Sequence, residues 1–130
     1  MPDAARIRKA LVATRLTIGV SVLIAPRLFA RFFGIDPTAN RALPYVARLF
    51  GVRDALMAYQ LYQASDEELE EVLRQGILAD GIDFVAGFSA LARREISLRT
   101  FVMGAGGSAA GMAMGLLARQ PEPAVETDSA

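Results

Sequence analysis

Apolar residues run through this 130-residue chain in four long stretches separated by short polar links, and their spacing predicts helices throughout. The first stretch extends from about Ile7 to Ala25, behind the basic residues Arg6, Arg8 and Lys9. No small-residue cleavage site follows it, so it reads as a retained span rather than a leader. Arg15 interrupts this span, and its long side chain is expected to snorkel to the headgroups as an anchor. Arg27 to Gly34 then alternates arginines with Leu28, Phe29, Phe32 and Phe33 on a helical period, the pattern of a short interfacial helix. Beyond a loop containing Asp36-Pro37, Pro44 suits the first turn of a second long helix reaching about Ala64.

Ser65 to Glu71 reads SDEELEE, where Ser65 or Asp66 can cap a third helix and the acidic run favours its positive end. That helix becomes apolar from about Gln75 to Ala92 and stops at Arg93-Arg94. Thr100 to Ala118 gives 19 residues without a charge, long enough to cross a bilayer core. Within it Gly107, Gly111 and Gly115 recur every four residues, a spacing that puts all three on one helix face for close packing. The expected architecture is an all-α, four-helix transmembrane bundle over residues 1–120, with the interfacial helix after its first span. Residues 121–130 are expected to form a disordered acidic tail. A water-soluble helical bundle is the rival reading, because the first three stretches carry charges.

Composition narrows the chemistry. Hydrophobic residues make up 53% of the chain, and 14 basic residues balance 14 acidic ones. Without a basic excess there is no field to gather nucleic acid. The chain has no cysteine and no histidine. Thiolate and imidazole metal sites, Ser-His-Asp and Cys-His constellations, and histidine acid–base catalysis are therefore absent. No catalytic residue, metal or cofactor is assigned. Gly104 to Ala109 matches a dinucleotide fingerprint variant, but too little chain follows it to complete a βαβ unit, so it reads as helix packing. The positive-inside rule does not settle orientation, since the arginines and lysines fall in similar numbers on both sides.

Candidate chemistry is confined to ionisable residues inside the spans. Arg48, Arg53, Asp54, Asp80 and Asp83 form a candidate ligand or structural charge cluster, because the middles of the second and third spans meet if those helices are antiparallel neighbours. Arg53 is expected to pair with Asp80 or Asp83, and the two aspartates, three residues apart, share a helix face. The run Arg48-Leu49-Phe50-Gly51-Val52-Arg53-Asp54, with the Pro26 exit and the glycine-rich last span, resembles an uncharacterised family of small four-span bacterial membrane proteins of actinobacterial type. The resemblance implies a fold and no activity. The leading expectation is a structural or accessory subunit of the bacterial cell membrane. Its partners would be the lipid bilayer and a homo-oligomer or larger complex held through the last span. The alternative is a membrane-embedded binding or transport component for a small molecule or ion. A third, enzymatic use of an aspartate in the cluster ranks below both.

Overall fold

The computed structural model of the chain describes residues 3–119. Among these it is all-α, with five helices and no strand: α1 (Ala4–Ile24), α2 (Pro26–Phe32), α3 (Leu43–Gln63), α4 (Asp66–Ala92) and α5 (Leu98–Ala118). The tail expected over 121–130 lies outside the described residues.

Local chemistry accounts for where the helices begin and end. Asp3 caps α1 by accepting from the Ala5 N–H. Pro26 cannot continue that helix, since it lacks an N–H and its ring crowds the preceding turn, so the chain bends by 115° between α1 and α2. Gly34, at φ 78°, ends α2 in the left-handed conformation, with Ile35 N–H returning to the Ala30 carbonyl. Arg94 takes the same conformation (φ 60°) at the end of α4, where Glu95 N–H returns to Ala90. Ser65 and Glu68 form a capping box at the start of α4, and Ser97 caps α5 through the Thr100 N–H.

The long helices form a ring. α1 packs on α3 and α4 on α5, while α1 also touches α5 and α3 meets α4 over a thin seam. α1 and α4 thus face each other diagonally. Two glycines set the tightest crossing: a Cβ on Gly19 would lie 2.7 Å from both the Ala55 nitrogen and the Gly51 oxygen, and one on Gly51 would lie 2.8 Å from the Gly19 oxygen. Only residues without side chains let the α1 and α3 backbones approach so closely. The short α2 closes one end of the ring. There Thr100 donates to the Phe33 carbonyl at 2.8 Å, and Arg99 donates to that of Phe32 at 3.0 Å. At the opposite end Ile7, Leu11, Leu61, Leu73 and Ala118 make a compact apolar plug.

Beside its apolar core the bundle buries charge, and it leaves many large apolar side chains outside. Arg15, Asp54 and Asp80 are buried, whereas large hydrophobic residues stand exposed on every long helix, among them Leu16, Val20 and Ile24 on α1 and Leu49, Val52 and Leu56 on α3. The same holds for Leu78, Ile82 and Val85 on α4 and for Val102 and Leu116 on α5. By length and composition α5 is the helix able to cross a membrane, and 17% of its apolar stretch is buried in the bundle. α1 meets that test only together with the bent α2. α3 and α4 do not meet it, since α3 holds Arg48, Arg53 and Asp54 and α4 opens with five acids in its first six residues. The four-span expectation is therefore met in its helical content but not, by this test, in its number of spans.

Candidate functional site

Charged side chains occupy the middle of the ring, directly above the apolar plug. Arg15 reaches from α1 across the diagonal to α4, where its guanidinium binds the Asp80 carboxylate in two-pronged fashion at 2.5 and 3.4 Å. It can pass because Gly76 of α4 offers no side chain there; a Cβ at that position would sit 3.5 Å from the guanidinium. Asp54 of α3 lies 3.8 Å from the same guanidinium, at the Nη1 that also reaches Asp80. Arg15 is thus no headgroup anchor. It stands at mid-helix facing the interior of the bundle and partners two acids instead.

Arg53 bridges the thin seam between α3 and α4 by a second two-pronged pair with Asp83, one arm at 3.1 Å. Its guanidinium also lies over the Phe50 ring, 5.2 Å from the centroid. Of the two partners expected for Arg53, the structure selects Asp83, because Asp80 is taken by Arg15. Asp80 and Asp83 consequently serve different neighbours, one turned to α1 and the other to α3. Arg48 does not join the cluster. Five residues before Arg53, it points about 140° away around the helix, is exposed, and donates to the Leu23 carbonyl at 3.3 Å.

The glycine face of α5 divides likewise. A side chain on Gly111 would run into the Asp80 carboxylate, so this glycine makes room for the buried acid. A Cβ on Gly115 would lie 2.7 Å from the Ile77 side chain of α4. Gly107 has nothing within 4 Å and packs against no neighbouring helix, contrary to expectation. The 3.6-residue turn carries it about 40° off the Gly111 position, towards an opening of the cavity.

Above the charges lies a cavity of about 500 Å³, bounded by all five helices. Arg15, Arg53, Asp54, Asp80 and Asp83 form its polar floor; Phe29, Ala30 and Phe33 close its far end, and Phe50 and Phe101 contribute to its walls. The stacked Phe29 and Phe33 rings, 4.5 Å between centroids, hold the roof together. Asp54 is the one floor carboxylate that makes no hydrogen bond among the described residues, although it is 4% exposed. The Arg53 Nε also lacks an acceptor. The aromatic roof and the role of Arg15 were not foreseen from sequence. The available signal was the excess of Asp54, Asp80 and Asp83 over Arg48 and Arg53 within the second and third stretches, which calls for another buried cation. Comparison of the chain with protein-family models, curated proteins and solved structures finds no match to any of them.

Proposed function

We propose that this chain is a multi-pass membrane protein, with α1, α3, α4 and α5 spanning the bilayer, that binds a small amphipathic molecule in its central cavity. Membrane insertion is supported by the many leucine, isoleucine and valine side chains exposed on the long helices, which suit a hydrocarbon solvent, and by the pairing of the charges held between those helices. The charges that bar α3 from a simple span criterion are satisfied by partners on other helices, which removes most of the cost of carrying them across. The observation that carries the binding role is Asp54, a buried carboxylate with free acceptor capacity on the floor of a cavity of about 500 Å³. That volume falls in the range of small-molecule sites, and apolar walls around a few polar groups are their usual chemistry. No reaction is assigned.

The test has two parts. Full-length protein should remain with the membrane fraction after an alkaline wash and need detergent for release; release into water would overturn the reading. Protein purified in mild detergent should then carry a stoichiometric organic molecule, detected by native mass spectrometry and lost on filling the cavity with Gly104→Phe.

Self-association through α5 is a second reading, favoured by Gly106 and Gly107, which are exposed and have nothing within 4 Å. Because the chain has no cysteine, Gly106→Cys provides a unique thiol. Disulfide-linked dimers in native membranes would support this reading, and monomers alone would remove it.

A further inference from the structure

We infer that the cavity is a site for a hydrophobic organic monocation, an amine or onium compound, with Asp54 as its counterion. The inference rests on the binding role proposed above and specifies the chemistry of the ligand. Two arginines and three aspartates line the floor. Arg15 is engaged by Asp80 at 2.5 Å and Arg53 by Asp83, so each cation has a close, two-pronged partner. Asp54 is the charge left over. Its nearest cation, Arg15, stands 3.8 Å away and already serves Asp80.

With every group ionised the floor carries one excess negative charge, at 4% exposure of the residue that bears it. A lone charge in such surroundings is costly, and a single positive charge on an occupant neutralises it. A metal ion is poorly served, since hard cations take six or more oxygen ligands and no metal-holding group of acids exists among the described residues. The walls point to an organic occupant. Phe29, Phe33, Phe50 and Phe101 present aromatic surface to a cavity far larger than a bare ion needs, and aromatic faces attract organic cations as well as apolar bodies.

Tetraphenylphosphonium and tetraphenylborate, near-identical in shape and opposite in charge, provide the probes. Equilibrium dialysis of the full chain in detergent should show saturable binding of the phosphonium and little of the borate. Asp54→Asn should weaken phosphonium binding by more than about tenfold, while Asp54→Glu should retain most of it. Thermal unfolding checks that each variant is folded. If Asp54→Asn fails to fold, the preference of the unaltered chain for cation over anion decides the matter alone. Equal affinity for both ions, or an unchanged affinity in folded Asp54→Asn, overturns the counterion assignment and leaves the binding role standing. Saturable binding of neither ion, with no co-purified molecule, overturns both.

Discussion

Arg15 and Asp80 form a deeply buried ion pair. The Arg15 side chain is 9% exposed and that of Asp80 is 6%, so removing one partner strands the other in a medium of low polarity. Arg15→Met is expected to cost about 3–5 kcal/mol in detergent unfolding, and Arg15→Met with Asp80→Leu should recover much of that loss. Additive losses in the double variant would mean that the two side chains do not interact. Arg53→Met should cost less, because Arg53 and Asp83 are 38% and 28% exposed and keep some solvation. The sequence made Arg53, Asp54, Asp80 and Asp83 legible as a group, since ionisable residues in apolar helices need partners. It did not reveal which pairs form. Helix order along the chain does not say that α1 lies diagonally opposite α4, and only that placement brings Arg15 to Asp80.

Helix boundaries were the most legible feature, because Pro26, Pro44 and Ser65 each act through the backbone next to them. Helix contacts were less so. The regular spacing of Gly107, Gly111 and Gly115 drew attention to α5, while the isolated Gly19 and Gly51 gave no pattern and yet make the closest approach. Gly19→Ala should destabilise the protein by about 1–3 kcal/mol, since the added methyl meets main-chain atoms that have no rotamer to change. Gly106→Ala meets nothing and should be neutral or stabilising by up to about 1 kcal/mol through helix propensity; thermal unfolding of the two variants side by side checks the contrast. The start of α4 responds to acid. Glu68, fully exposed, accepts from the Ser65 N–H and hydroxyl, which hold its carboxyl below the ordinary value of 4.5. A depressed carboxylate stabilises above its unfolded value and loses that effect as pH falls through the folded one. The protection of the first α4 turn against amide exchange, relative to the intrinsic rate at each pH, should therefore fall below about pH 4.5, and in Glu68→Gln that acid response should be absent.

At the scale of the whole molecule, two helix pairs meet across a charged centre. α1 joins α3 by a close backbone crossing and α4 joins α5 along a broad face, whereas the two halves hold to each other by the shorter α1–α5 contact, the apolar plug, the hydrogen bonds from Arg99 and Thr100 to the end of α2, and the two arginine–aspartate links. That division follows the chain, because the first pair ends at Gln63 and the second begins at Asp66. It has a consequence for biogenesis. In the membrane placement proposed above, each pair enters the bilayer and closes as its own unit, with the second half still on the ribosome when the first is complete, and a charge on one half then waits for its counterpart on the other. A gene split between Ala64 and Ser65 should accordingly yield two polypeptides that co-purify from one membrane when expressed together. In the split form Arg15→Met should weaken co-purification, although a single chain with the same change still inserts, because only there does the covalent link keep the halves in register.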